Sequence, residues 1–537
     1  FRSRKVPAII STVLSAGSQA FIVYFCGLRS QQYRYLQVKS IYANTKPVPL
    51  EKSACLLRLG PSHDATWRLE GEALKERWVS METKDAITGL LCRCSSETPI
   101  FRWLVEVNLA QDPSNASTGT VVGFECLTTV AAESNSKTVK LGYDGGELDV
   151  YHMVINPTLS EDLGYCHNPR GPAQKFPLRP VSPEPVDPSS LLCVGHRGLG
   201  AEHDSVPAEE RWPENTLLAF KKAAEIGIPM VELDVIPIRD STDHVLFHNF
   251  NLITKKCDQT RPCGCPKYEV DVFHASGVCN KNMQNLIPRF SLSELKDLKW
   301  GAHKKTCESA VREDDVEYAE PEGKTLTLQR HSKLAEYAPL FSELLTTVPT
   351  KLALDVELKY PQDTPYMAFR LINEHGETEK SLAEFGHPSK YFYSINKFAD
   401  NVIRSLQELG GGREVVLGSF NTELCLALRL KQSKYPVLFL SRSGMLTGGS
   451  EPQHTLDPRH LNAFAVAEWA NLVGLDGVVI RGESIQEGGA ELAKLLADYG
   501  LACIAYGDVA STPEFRSYAA SLGITGICID NVIKNAW

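Results

Sequence analysis

The chain is poor in positive charge. Its 56 Lys and Arg are outnumbered by 65 Asp and Glu, the net charge is −9, and no dense Lys/Arg run gathers anywhere. The electrostatic footprint of a nucleic-acid binder is therefore missing. Helical periodicity is missing from the segment before about residue 158, which excludes a helical domain there. Paired CxxC spacing is missing too. Cys257, Cys263, Cys265 and Cys279 are separated by five, one and thirteen residues, a pattern that favours free thiols on an inserted segment over a zinc site. The fifteen cysteines form no visible disulfide framework. Cys126, Cys193, Cys503 and Cys528 sit inside apolar strand-like runs, which suits reduced buried thiols and a cytoplasmic protein. An uncharged run from Val6 to Leu28 follows Arg2, Arg4 and Lys5. Pro7, Ser11, Thr12, Ser15, Gly17, Ser18 and Gln19 interrupt it, so it reads as two strands, Ala8–Leu14 and Ala20–Cys26, and no stable membrane insertion is expected.

What is present divides the 537 residues into two or three domains. Residues 1–160 show short β-type runs (Phe21–Gly27, Phe101–Leu109, Thr120–Thr129, Leu148–Ile155) between Gly, Ser, Asn and Pro, the pattern of an all-β sandwich. Seven prolines between Pro169 and Pro188 mark 161–190 as a semi-rigid linker. From 191 to 537 the rhythm becomes strand, loop, helix. Strand candidates are Leu191–Gly195, Met230–Ile236, Val245–His248, Leu352–Leu358, Glu414–Phe420, Val437–Ser441, Gly477–Ile480, Leu501–Tyr506 and Gly523–Ile529. The gap from Ile236 to Val245 is too short for a parallel crossover, so Val245–His248 is expected to return as an antiparallel hairpin. Eight strands remain, which predicts an α/β (TIM-type) barrel with an insertion at about 254–330. The acidic stretch 308–324 within that insertion reads as a solvated loop.

Reactive groups in such a barrel gather at the C-terminal ends of its strands. His196 and Arg197 end the first strand and His248 ends the hairpin strand. Glu232 and Asp234 are two apart, so both face the same side of their strand. Asp355, Glu357 and Lys359 repeat that spacing. Carboxylates in otherwise apolar strands are expensive to bury alone. Glu232, Asp234 and Glu357 together would make a hard oxygen site for Mg²⁺ or Ca²⁺. Two histidines at one mouth supply an acid and a base for displacement at phosphorus. Arg197 and Lys359 supply fixed positive charge for phosphate oxygens.

Gly195-His196-Arg197-Gly198, Pro213-Glu214-Asn215-Thr216, Glu232-Leu233-Asp234, His248 and Glu357-Leu358-Lys359, in this order, resemble the glycerophosphodiester phosphodiesterase family. The KQSKYPVLFL segment (Lys431–Leu440) and the β-rich region ahead of the barrel are closer to its intracellular glycerophosphocholine phosphodiesterase branch. The resemblance implies acid/base roles for His196 and His248, and metal ligation by Glu232, Asp234 and Glu357. It also implies phosphate contacts from Arg197 and Lys359, with Glu214 and Asn215 supporting the first loop. The implied substrate is a small phosphodiester, glycerophosphocholine, split into sn-glycerol 3-phosphate and choline. Two departures stand out. Asn249 replaces the family's usual Asp after the second histidine, and Tyr506 stands nearest to an aromatic that is commonly Trp. Alternatives are lysophospholipase D or phospholipase-C-like action on lipid diesters, and a catalytically weakened regulatory barrel with Asn249 as its sign. The same branch implies a carbohydrate-binding module at the N-terminus, with Tyr24, Trp67, Trp78 and Trp103 as candidate stacking residues. Burial of these aromatics in the sandwich core is the simpler reading.

Overall fold

The computed structural model describes residues 14, 18–29, 34–44, 46–48, 54–58, 68–70, 79–80, 88–95, 100, 102–111, 120–127, 134–141, 146–157, 178–199, 212, 214–248, 287–296, 298–302, 308–312, 339–360, 394–443, 458–530 and 532. Asn249, Trp67, Trp78, the four cysteines from Cys257 to Cys279 and most of Ala8–Leu14 lie outside these described residues.

The N-terminal part forms two antiparallel sheets. One follows the order β10-β11-β1-β7-β4-β5, built from Ser134–Lys140, Glu147–Ile155, Ser18–Arg29, Thr88–Ser95, Ala54–Arg58 and Arg68–Glu70. The other follows β3-β2-β8-β9, from Lys46–Pro47, Tyr35–Ala43, Arg102–Ala110 and Thr120–Leu127, with β6 (Val79–Ser80) also paired to β2. Phe21, Val23 and Phe25 of β1 meet Trp103, Val105 and Phe124 in the core between them. Trp103 is fully buried and stacked on Phe21, with ring centroids 4.4 Å apart. Tyr24 is buried as well, so both described stacking candidates are core residues. The alternate positions of the first sheet (Ala20, Ile22, Tyr24, Tyr151, Met153, Ile155) belong to a second core shared with the barrel helices. That double burial accounts for the apolar sequence of β1 itself, because a strand packed on both faces reads as continuously apolar.

The barrel follows the order β12-β22-β21-β20-β19-β18-β17-β13, and β12 closes on β13. Its strands are β12 (Leu192–Gly195), β13 (Met230–Pro237), β17 (Ala353–Leu358), β18 (Val415–Ser419), β19 (Val437–Ser441), β20 (Gly477–Arg481), β21 (Ala502–Tyr506) and β22 (Gly526–Ile529). All eight are parallel, and β14 (His244–Leu246) pairs antiparallel with β13 as a ninth, hairpin strand. Among the described residues eight helices accompany them: α1 (Leu217–Glu225), α2 (Leu292–Lys296), α3 (Phe341–Thr347), α4 (Ile395–Leu409), α5 (Thr422–Lys431), α6 (Ala463–Leu472), α7 (Gly482–Tyr499) and α8 (Pro513–Ser521). One difference from the sequence reading falls in the acidic stretch. Glu308–Arg312 is a strand (β16) paired with Leu298–Ala302 (β15), rather than loop. Ser309-Ala310-Val311 lacks charge, so this end of the stretch can pair while the denser acids follow it.

The second half of the proline-rich segment is tied to the barrel floor. Val181 donates to the Leu501 carbonyl, Ser182 to Gly523 and Val186 to Ala520, and Arg179 caps the Gly523 and Ile524 carbonyls. Against the flank, Asn396 of α4 donates to Val154 O and accepts from Asn156 N at 2.8 Å each. Lys431 Nζ of α5 donates to Asn156 O at 2.7 Å. The sandwich therefore packs directly on α4 and α5.

Candidate active site

Acids stand in register on two adjacent parallel strands. Glu232 lies beside Asp355, and Asp234 beside Glu357. All four are buried. Glu232, Asp234 and Glu357 each place one carboxylate oxygen within 4.8 Å of the others. Asp355 sits one step deeper toward the barrel floor, where Ala353, Met230 and Cys528 form the apolar interior.

The first barrel loop is shaped to reach this cluster. A Cβ on Gly195 would collide with the Gly198 carbonyl, and Gly198 itself adopts φ 109° over Ala219. Between these glycines Arg197 takes φ 50°, a left-handed conformation that costs energy for a residue with a side chain. Its backbone N–H donates to Glu232 Oε2 at 2.8 Å, and its guanidinium donates to Glu214 Oε1 at 2.7 Å. Asn215, also left-handed at φ 55°, donates its backbone N–H to Arg197 O. Its amide clasps Asp234, donating to Oδ2 at 2.9 Å and accepting from the backbone N–H at 3.1 Å. Thr216 then caps α1, its hydroxyl accepting from Ala219 N. The Glu-Asn-Thr motif thus connects the His-Arg loop, the acids and the first helix.

Electrostatics follow from burial and charge. Burial pushes Glu232 well above the ordinary carboxylate range, helped by Asp234 and Glu357. Burial acts the same way on Asp234, but Lys359, His248, Arg197 and the Asn215 amide outweigh it and hold this acid well below its usual value. Burial also raises Glu357, and burial with the Glu357 charge carries Asp355 up to about 7. Burial works against the charge on Lys359, yet Glu357 and Asp234 keep it raised. Its ammonium stands 2.8 Å from Glu357 Oε1 and 3.5 Å from Asp234 Oδ1. Burial, with Arg197 and Lys359 nearby, drives His248 well below the usual imidazole value, so its neutral form dominates.

His196 directly follows β12, with Nε2 3.8 Å from Glu232 Oε2, while Nδ1 is hydrogen-bonded to Asp530. Asp530 was not singled out from the sequence. It follows β22 and alternates with Cys528, which the apolar interior contains, so the strand-end rule applied to the last strand would have found it. Tyr506 ends β21 edge-on to Phe420, with centroids 6.4 Å apart.

Glu232 Oε1 and Asp234 Oδ1 are buried and have no hydrogen-bond partner among the described residues. Converging carboxylate oxygens short of hydrogen bonds, with the Lys359 ammonium 3.5 Å from Asp234 Oδ1 as the near positive charge, fit a hard divalent cation. Buried acids on two strands and two imidazoles at the C-terminal mouth of a closed parallel barrel define a class: a barrel whose mouth gathers histidines beside a carboxylate cluster able to hold a cation. The Glycerophosphoryl diester phosphodiesterase family matches residues 196–534, and the chain belongs to that family.

Relatives agree in kind. The human glycerophosphocholine phosphodiesterase GPCPD1 is 25% identical over 422 residues, covering 78% of this chain and 52% of its own. The glycerophosphocholine phosphodiesterase GDE1 of Candida albicans is 24% identical over 365 residues, covering 64% and 28%. The chain spans about half or less of the length of these relatives. A solved phosphodiesterase of Oleispira antarctica, in complex with the product sn-glycerol-3-phosphate, is 14% identical with a TM-score of 0.37, covering 64% of this chain and 94% of that one. No helix among the described residues is long and apolar enough to cross a membrane.

Proposed function

We propose that this chain hydrolyses glycerophosphodiesters in the cytoplasm, with glycerophosphocholine as substrate and sn-glycerol 3-phosphate and choline as products. The observation that carries the reading is the meeting of Glu232, Asp234 and Glu357 within 4.8 Å of one another, with His196 beside Glu232 and His248 electrostatically joined to Asp234. The family membership points to the same reaction.

Glu232, Asp234 and Glu357 would hold Mg²⁺ or Ca²⁺, which when bound supplies positive charge for the phosphate oxygens. The chain's own groups do the rest. His248, neutral through burial and its cationic neighbours, takes the proton from the attacking hydroxyl: water gives glycerol 3-phosphate directly, whereas the substrate's glycerol hydroxyl gives a cyclic phosphate that a water then opens to glycerol 3-phosphate. His196 delivers a proton to the departing choline oxygen as the P–O bond breaks. Asp530 accepts the Nδ1–H and leaves Nε2 facing the site, so the proton delivered is the one on Nε2 of the imidazolium form. Lys359 and Arg197 offset the acids and add charge at the phosphate, although in this arrangement the Arg197 guanidinium is bonded to Glu214.

Release of glycerol 3-phosphate from glycerophosphocholine, measured with and without EDTA, tests the reading. We expect turnover that chelation abolishes and added divalent cation restores. Release that ignores the chelator would remove the cation from the proposal, and absence of release would remove the substrate.

A further inference from the structure

A continuous set of contacts runs from the N-terminal sandwich to the barrel mouth. At the end of β19, the Ser441 carbonyl accepts the Tyr506 hydroxyl at 3.4 Å. The Ser441 hydroxyl lies 2.9 Å from His460 Nδ1 and accepts the Ser443 N–H at 2.9 Å. His460 stands just before α6, so this pair ties together the two feet of the barrel loop between β19 and α6. Its neighbour Arg459 is buried. The Arg459 guanidinium lies 5.4 Å from the Tyr24 ring centroid and 5.2 Å from that of Trp469. It donates to Glu423 Oε1 at 2.6 Å and to the Tyr24 hydroxyl at 3.4 Å. Tyr24 is a residue of β1, in the sandwich.

We propose that Arg459 is a positioning residue through which the N-terminal sandwich sets the placement of Tyr506, which ends β21 at the mouth where substrate enters. The inference rests on the phosphodiesterase reading above. Domain anchoring alone does not explain the guanidinium. The interface is already held by a shared apolar core and by Asn396 and Lys431. A buried ion pair adds little net stability compared with apolar side chains of similar volume. What the Arg459 fork adds is direction. It reads the Tyr24 ring face on one side and Trp469 on the other, and so fixes the backbone one residue before His460. His460 fixes Ser441, and Ser441 fixes the Tyr506 hydroxyl.

The double variant Glu423→Gln/Arg459→Met removes the cation without leaving a buried unpaired charge. KM for glycerophosphocholine should rise about fivefold to tenfold with kcat within about twofold, the scale of coupling between contacting residues. Deuterium exchange at the Ser443 amide should quicken. Adding Tyr506→Phe should raise KM by less than the product of the separate effects, because both changes act through Ser441. A folded double variant with wild-type KM, or with an unchanged Ser443 amide, overturns the proposal. So does a purely multiplicative triple variant. If the double variant fails to fold, Ser441→Ala cuts the tie to His460 while leaving the domain interface whole. It must then raise KM at near-constant kcat, and a wild-type KM there overturns the proposal equally. Wild-type protein that releases no glycerol 3-phosphate refutes the phosphodiesterase reading instead, and the amide-exchange comparison still decides the coupling.

Discussion

His244 stands on β14 four residues before His248, fully buried against Phe398 with ring centroids 5.2 Å apart. Neither ring nitrogen has a hydrogen-bond partner among the described residues. Burial lowers its pKa from 6.5 to about 3. At neutral pH the imidazole leaves an N–H desolvated and unbonded, a cost of about 1–3 kcal/mol. His244→Leu, similar in volume and without polar atoms, is therefore expected to stabilise the protein by about that amount. A larger effect appears in acid. Between pH 6.5 and about 3 the unfolded chain carries a proton on this residue and the folded chain does not. Stability must then fall as pH falls across that window, by about 1.4 kcal/mol per unit and about 5 kcal/mol in all. Urea-unfolding midpoints at several pH values between 7.5 and 4.5, for wild type and variant side by side, measure this. The two curves should diverge below pH 6.5, with the variant the steadier. Parallel curves, or a variant less stable at every pH, would refute the account of His244 as a neutral, unpartnered imidazole. The site has a stake in the outcome, because β14 is the strand that delivers His248 to the mouth.

Other expectations concern the chemistry. Replacing His196 or His248 with Ala should each lower kcat at least about a hundredfold, the scale of a lost acid or base, and near-normal turnover would free that residue of its role. Glu232→Gln or Glu357→Gln should weaken calorimetric binding of Mg²⁺ or Ca²⁺ at least about tenfold, since a hard cation is held by charged oxygens. Wild-type affinity in either would remove that ligand. Asp530→Asn keeps an acceptor for His196 but loses its charge, and should lower kcat by about tenfold to a hundredfold with KM nearly unchanged. An unaltered kcat would make Asp530 a bystander.

Much of the barrel was legible because its signals are local. Each of the nine strand candidates matches an observed strand, and the hairpin placement of β14 followed from the short gap before it, since no crossover fits there. The carboxylates were visible as polar residues at alternate positions of apolar strands, where chance and solubility do not put them. Asp530 escaped notice because the strand-end rule was not carried to the last strand, and only the closure of β22 onto β12 shows that it stands beside His196. Asp355 kept the right spacing, yet only the register with Glu232 reveals how deep in the barrel it sits.

The N-terminal part shows the opposite balance. Alternating apolar runs announced β1, β8, β9 and β11, but β2 to β7 and β10 were not among the runs singled out: β3 to β6 are short, β10 is polar, and β2 and β7 mix polar residues into their apolar pattern. The uncharged stretch ending in β1 had several readings from composition alone. Apolar character says that a strand avoids water and does not say what covers it.

The order of motifs and the period of the strands, both properties of neighbouring residues, determined from sequence alone that this chain carries a parallel barrel with acids and imidazoles at its strand ends. Tertiary structure decided which acids share one site, which histidine is held neutral, what orients the other, and that the first sheet is covered by barrel helices rather than by water. Those outcomes depend on burial and on contacts between residues hundreds of positions apart, and both arise only when the chain closes on itself.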